Sequence, residues 1–382
     1  MANLKIAHII PSLKIGGAER LALDICSELN KNKSLEIILI SLSEVNDFKS
    51  ESYEIEIKYI PSKVTLSITG KTNVEITKLN TFINDFKPDI IHTHLFEAEL
   101  ISRWDINKKV NYFTHCHDNM SQLSGLKTYK SIKKNITDLY EKNNIIQRYL
   151  NCENKFIAIS KDTKQYFTNV LPKKLSQNIH LLPNAINYKK FQKNNVKKSN
   201  TLRLINVGSF AAKKNQTFLI DILLELKIRG IKCELLLIGE GIEQQKVKEK
   251  AFTNGLKNEI HFLGNINDVE KELWKSHFYI HSAYYEPFGL VLLEAMAAGL
   301  PVISLDGKGN RDFIKNSVNG YILEEEDPKL FSDIIIKLVK NKKLYNRILE
   351  KGKETAQKYD IKNYSTKLIN IYKESMSSAN LL

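Results

Sequence analysis

Short apolar runs alternate with amphipathic helical stretches along the whole chain, and the alternation starts twice. The first run, Leu4-Lys5-Ile6-Ala7-His8-Ile9-Ile10, has the length of a buried strand. After Gly16-Gly17, residues Ala18, Leu21, Ala22, Ile25 and Leu29 share one helical face. Further strands are expected at 35–42, 89–94, 110–115 and 155–160. The rhythm restarts at 202–208 and continues through 233–239, 259–264, 277–281 and 301–305. Strands that alternate with helices pair in parallel, and helices then cover both faces of the sheet. At 382 residues the chain exceeds one ordinary core, so two doubly wound α/β domains are expected. The polar, Lys- and Asn-rich stretch 189–200 reads as the linker between domains at 1–188 and 201–360. In the tail 361–382, Tyr364, Leu368, Ile371 and Tyr372 recur at helical spacing, so a last helix needs an apolar surface to cover.

The chain is 42% hydrophobic and 26% charged, as in a soluble globular protein. No apolar run reaches membrane-spanning length and no signal-peptide pattern opens the chain, so a cytoplasmic protein is expected. Cys26, Cys116, Cys152 and Cys233 show no metal-ligand spacing and read as idle thiols. The net charge of +14 is spread over both halves, with a local peak at 120–150: Lys127, Lys130, Lys133, Lys134, Lys142 and Arg148. That peak reads either as a solvated helix face or as a contact for anionic lipid or a phosphorylated acceptor. Nucleic acid is not expected, because no aromatic residues interleave the basic ones.

Several motifs carry chemistry. Gly16-Gly17 lies between a strand and a helix, where backbone can approach a phosphate, although a plain turn explains it equally well. No G-x-G-x-x-G follows either first strand, which disfavours a nicotinamide dehydrogenase. His92, His94, His115 and His117 fall at strand ends, where open α/β sheets bind ligands. Zinc, with Asp118 as a further ligand, is one reading; a sugar-contacting or catalytic role for one histidine is the preferred one. Lys214 follows the first strand of the second domain and could pair a diphosphate. In "YEPFGLVLLEAMAAG", Pro287 and Gly289 set a turn, and a helix should begin near Gly289-Leu290. Glu286 then sits at the mouth of a helix N-terminus. Glu294 sits inside an oily helix, either as a ligand for a diol or in a structural ion pair.

With Glu286 and Glu294 separated by seven residues, "EPFGLVLLEAMAAGLPVI" resembles the E-x7-E signature of retaining glycosyltransferase family 4 of the GT-B fold. "IIPSLKIGGAERLALDIC", "DIIHTH", "PNAINYKKF", "VGSFAAKKNQTFLI", "LLLIGEGIEQQKV", "IHFLGNINDV" and "GNRDFIKNSVNGYIL" resemble other parts of that family in order and spacing.

The resemblance implies two Rossmann-like domains facing an interdomain cleft, with the last helix crossing back to the first domain. It implies that Glu286 holds hydroxyls of a donor sugar, with the backbone of Phe288, Gly289 and Leu290 near sugar and phosphate. Glu294 would bind the ribose, Lys214 would neutralise the diphosphate, and Gly16-Gly17 would approach it from the acceptor domain. The active-site histidine matches His117, with His115 as the alternative. One departure is Ser209, where the family usually has Arg beside the Lys; Arg311 or Lys308 could supply a second cation.

The implied activity is retaining, metal-independent transfer of a hexose from a UDP- or GDP-linked sugar to a glycan or lipid-linked acceptor. Neither a cofactor nor a protein nucleophile is implied. The expected setting is synthesis of bacterial surface polysaccharide, capsule or lipopolysaccharide, at the inner face of the cell membrane. A nucleotide-sugar 2-epimerase and a non-catalytic nucleotide- or glycan-binding homologue remain as alternatives.

Overall fold

The structure is a computed structural model that describes residues 3–48, 53–68, 70–125, 131–192 and 196–379. It divides into two compact units: Met1–Asn184 with Ile361–Leu382, and Ala185–Asp360.

The first unit is built on strands β1 (Leu4–Ile10), β2 (Leu35–Ser41), β3 (Glu56–Tyr59), β4 (Lys63–Thr65), β5 (Asn73–Glu75), β6 (Ile90–His94), β7 (Asn111–Cys116), β8 (Lys155–Ala158) and β9 (Ile179–Leu181). Seven of them form one parallel sheet in the order β3-β2-β1-β6-β7-β8-β9, and β4 and β5 pair antiparallel beside it. The strand order reverses direction between β1 and β6, so the carboxyl ends of these two strands flank the crevice where such sheets take ligands.

Strand alternation sorts the two faces. Ala7, Ile9, Ile91 and Tyr112 pack on one side with Leu79, Ala98 and Ile101. Each Leu or Ile buried there contributes about 1.5–3 kcal/mol. His8, His92, His94 and His115 fall on the opposite side, and all four are fully buried. The helix Ile361–Ala379 belongs to this unit and contacts the helix Gly17–Asn30. Its Leu368 and Tyr372 are completely buried.

The second unit carries β10 (Leu202–Val207), β11 (Cys233–Ile238), β12 (Ile260–Gly264), β13 (Phe278–His281), β14 (Val302–Leu305) and β15 (Tyr321–Leu323). They form one parallel sheet in the order β12-β11-β10-β13-β14-β15, with its reversal between β10 and β13. The helix Gln216–Ile228 is apolar nearly all round and buries Phe218, Leu219, Ile220, Ile222, Leu223 and Leu226 in the core. By contrast, Pro328–Lys340 is an amphipathic surface helix. Asp327 caps it by accepting from the Lys329 and Leu330 amides, and Pro328 opens it with a fixed φ.

The strands expected from the sequence all form, with ends displaced by a residue or two. The sequence reading did not include β3, β9, β15 or the β4–β5 pair, which are short, polar or at a sheet edge. The stretch 189–200 is only partly a connector. Tyr188–Phe191 is a helical turn, Phe191 is buried, and its carbonyl accepts from the Trp274 indole at 2.9 Å. Residues 193–195 lie outside the described residues. The unit boundary falls between Asn184 and Ala185, because the Ile186 amide already bonds the Tyr359 carbonyl of the second unit.

Candidate active site

In the second unit the loops after β10, β13 and β14 meet. Gly208-Ser209-Phe210 is pinned to the loop after β11 by Phe210 N–H to Glu240 O at 2.9 Å. The backbones are so close there that a Cβ on Gly239 (φ 126°) would stand 2.2 Å from the Gly208 carbonyl oxygen. That approach is what requires glycine. The chain then makes a short turn, Ala212–Lys214, which is tied down when the Ser282 hydroxyl donates to the Lys214 carbonyl at 2.8 Å.

Lys214 Nζ thereby reaches Glu286 Oε2 at 2.5 Å. Glu286 is held from the other side too. Its amide donates to Gly307 O at 2.8 Å, and Gly309 N–H donates to its carbonyl at 3.0 Å. Glycine is needed on that strap, since a Cβ on Gly309 would fall 2.0 Å from the Pro287 oxygen. A third side chain joins the pair: His281, the last residue of β13, places Nε2 3.2 Å from the same Oε2. Burial pushes the Glu286 carboxyl up. Lys214 and then His281 outweigh it and hold the pKa at about 2, so the carboxylate is ionised at any ordinary pH.

Gly289 adopts a left-handed φ of 97° and starts the helix Leu290–Ala297. The opening amides of a helix have no intrahelical acceptor and suit an anion. Phe288 points away from solvent and packs on Phe313 and Tyr359. Glu294 is buried within the helix, and its charge, with that of Glu286, bears on the buried Tyr279 hydroxyl. The partner of Lys214 is therefore Glu286, not the acid inside the helix.

Ser209 is exposed and its hydroxyl makes no bond among the described residues. Arg311 is exposed and forms an ion pair with Asp306. Lys308 is exposed on the strap that bridges to the Glu286 backbone.

In the first unit a chain of rings runs along the sheet. His117 Nε2 lies 2.9 Å from His94 Nδ1, and His94 Nε2 lies 3.0 Å from His8 Nδ1. Beside it, His92 Nδ1 meets the Tyr372 hydroxyl at 2.5 Å and His115 Nε2 meets Asn184 Oδ1 at 3.2 Å. Burial and then His115 push His8 down to about 3. Burial alone takes His115 to about 4, against the opposing bond from Asn184. His117 is only half-buried, and its Nδ1 makes no bond among the described residues. His115 is sealed in. Only His117 of these two can touch a ligand.

His92, His94 and His115 offer ring nitrogens within 4.8 Å of one another. Tetrahedral zinc with bonds of about 2.0–2.1 Å needs nitrogens at roughly 3.3 Å. His94 already spends both nitrogens on His8 and His117, and its ring is within 4° of parallel to His92, so their lone pairs do not converge. As placed, the three do not form a metal cage.

Gly16 precedes the helix Gly17–Asn30 with an extended φ of −171°, which any residue adopts. A Cβ there would meet the Glu19 carboxylate at 2.2 Å. Glu19 thus occupies the helix N-terminus that the sequence suggested for a phosphate, and burial raises its pKa. A diphosphate approaching Gly16-Gly17 must displace that acid.

Comparison with known proteins decides the family. The Glycosyltransferase Family 4 description matches residues 15–190, and the Glycosyl transferases group 1 description matches residues 187–355. The chain belongs to glycosyltransferase family 4. It is 29% identical over 152 residues to a lipopolysaccharide core biosynthesis glycosyltransferase of Rhizobium meliloti, which is 40% of this chain and 44% of that one. It is 28% identical over 134 residues to a poly(glycerol-phosphate) α-glucosyltransferase of Bacillus subtilis, covering 35% of this chain and 20% of that one. The chain thus spans less than half the length of these relatives. Among solved structures, the Anabaena HepE complex with UDP-glucose superposes with a TM-score of 0.76 at 20% identity, over 98% of this chain and 100% of that one. The fold of this family 4 glycosyltransferase is GT-B.

The sequence reading missed His281, His8 and Tyr372. His8 and His281 each sit in or at the end of an apolar strand, where a histidine reads as filler. Tyr372 was counted only as an apolar helix position.

Proposed function

We propose that the protein moves a hexose-type sugar from a UDP- or GDP-linked donor to a glycan or lipid-linked acceptor of a bacterial surface polymer, retaining anomeric configuration. The observation that carries this reading is the partly buried Lys214–Glu286 pair just ahead of the helix Leu290–Ala297 and its opening amides. A departing nucleoside diphosphate develops negative charge, and a preorganised ammonium with helix amides is suited to stabilise it. Glu286, fixed and ionised, accepts hydrogen bonds from sugar hydroxyls, and Glu294 serves the ribose. The second unit holds the donor; the first holds the acceptor, with His117 toward the reacting hydroxyl. The UDP-glucose bound by the Anabaena protein supports a nucleotide-sugar donor. The clamp uses Lys214 and amides and calls for no divalent metal.

The test is a donor panel assayed with and without acceptor and with chelator, and the anomeric configuration of the product read by NMR. Inverted product overturns retention, and loss of activity with chelator overturns metal independence. An isomerised donor formed without acceptor identifies an epimerase, and binding without turnover identifies a non-catalytic homologue.

The same reading places the protein at an anionic membrane surface. On the helix Ile132–Asn151, Ile132 (80% exposed), Ile136 and Leu139 form a bare apolar stripe flanked by Lys133. Such a face suits the headgroup boundary. Lys127 and Lys130 lie outside the described residues. Among the described residues no helix is long and apolar enough to cross a membrane. Cosedimentation with vesicles containing anionic lipid should fall for Ile136→Glu with Lys133→Glu; equal binding removes the idea.

A further inference from the structure

Glu286 has two oxygens, and the structure treats them differently. Oε2 receives both Lys214 Nζ at 2.5 Å and His281 Nε2 at 3.2 Å. Oε1 accepts no bond among the described residues and is not sealed from solvent. A carboxylate with both donors on one oxygen cannot rotate freely, and its other oxygen is kept for a ligand.

His281 is well placed for that task. It ends β13, is 1% exposed, and its ring lies against Tyr279, whose hydroxyl donates to Val207 O at 3.1 Å. Its Nδ1 is buried with no partner. A proton on Nδ1 would be stranded in that pocket, so the ring is neutral and carries its hydrogen on Nε2, aimed at Glu286. Burial lowers its pKa in the same direction. Lys214 alone could not do this work. An ammonium on a flexible stem turns toward an incoming pyrophosphate, whereas the imidazole on the strand stays.

We propose that His281 is a positioning residue for glycosyl transfer, holding Glu286 Oε2 through its Nε2–H so that Oε1 meets a hydroxyl of the donor sugar. The inference rests on the reading of Glu286 as the sugar-hydroxyl ligand. It adds a residue that touches neither donor nor acceptor.

The test compares His281→Leu, His281→Gln and Glu286→Gln, each checked for folding by thermal melt. Gln can place an amide N–H near the position of Nε2. For His281→Leu, kcat/KM for the nucleotide sugar should drop roughly 10- to 100-fold, the effect of one hydrogen bond to a charged group. The Kd for free UDP or GDP should change less than about twofold, because the nucleotide does not touch Glu286. His281→Gln should recover most of the rate. Full activity in the Leu variant, or no recovery in a folded Gln variant, overturns the proposal. If Glu286→Gln also keeps full activity, the reading of Glu286 has failed instead. A readout independent of turnover is histidine ring 15N NMR, with His281 assigned by its absence in the Gln variant. It should show the Nε2–H tautomer of a neutral ring at neutral pH; an Nδ1–H or doubly protonated ring there overturns the proposal as well.

Discussion

Lys214 and Glu286, seventy-two residues apart, meet at 2.5 Å across the carboxyl ends of β10 and β13. Removing one member leaves the other charge poorly compensated. Lys214→Met should cost about 1–3 kcal/mol in urea unfolding of the second unit, less than the full penalty for a wholly buried pair, since the side chains keep 17% and 10% exposure. The double variant Lys214→Met, Glu286→Gln should regain most of that stability while transfer stays abolished. Recovery of activity along with stability would remove the pair from the mechanism.

Acid should weaken the first unit. His8 and His115 titrate near 6.5 when unfolded but only near 3 and 4 when folded. Between those values the unfolded chain binds more protons, so the stability is whole above pH 6.5 and drains as pH falls. Tm should decline from pH 6.5 to pH 4, and His8→Asn should flatten the decline. Equal slopes would contradict the buried neutral cluster.

Glu99 works in the opposite sense. Fully buried, it is pushed up to about 7 against the pull of Arg103 and a bond from the Tyr149 hydroxyl. The folded state holds its proton longer than the unfolded state, so stability falls as pH rises from about 4.5 to about 7. Glu99→Gln should leave Tm unchanged at pH 4.5 and raise it at pH 8, by at most roughly 3 kcal/mol in stability. No difference at pH 8 would show that Glu99 ionises freely.

Tyr372→Phe removes the hydroxyl that meets His92 Nδ1 and strands a ring whose Nε2 already lacks a partner. A loss of about 1–3 kcal/mol is expected from leaving that nitrogen unsatisfied. A change under about 0.5 kcal/mol would show that the bond carries no weight.

Much of this fold is legible because parallel strands buried on both faces read as continuous apolar runs. Ile37–Ile40 in β2 and Leu235–Ile238 in β11 are such runs. Tyr321–Leu323 is not, because three residues at a sheet edge are too few to show a period. Glu286, Lys214 and His117 stand out as polar residues beside strand or helix ends. His281 does not: its role depends on a carboxylate five residues on that turns back toward it, and no spacing rule encodes that return. The place of Glu19 is hidden for a related reason, since only the folded backbone reveals that its carboxylate curls over Gly16.

The first unit is assembled from two segments that flank the second unit, and the buried partner of His92 arrives from the helix Ile361–Ala379. During synthesis Tyr372 must therefore clear the ribosome before the opening sheet can close over its histidines. Until then the entire second unit can already be folded while the first waits with an open side. A nascent chain stalled short of Tyr372 is the species that quality-control proteases would find.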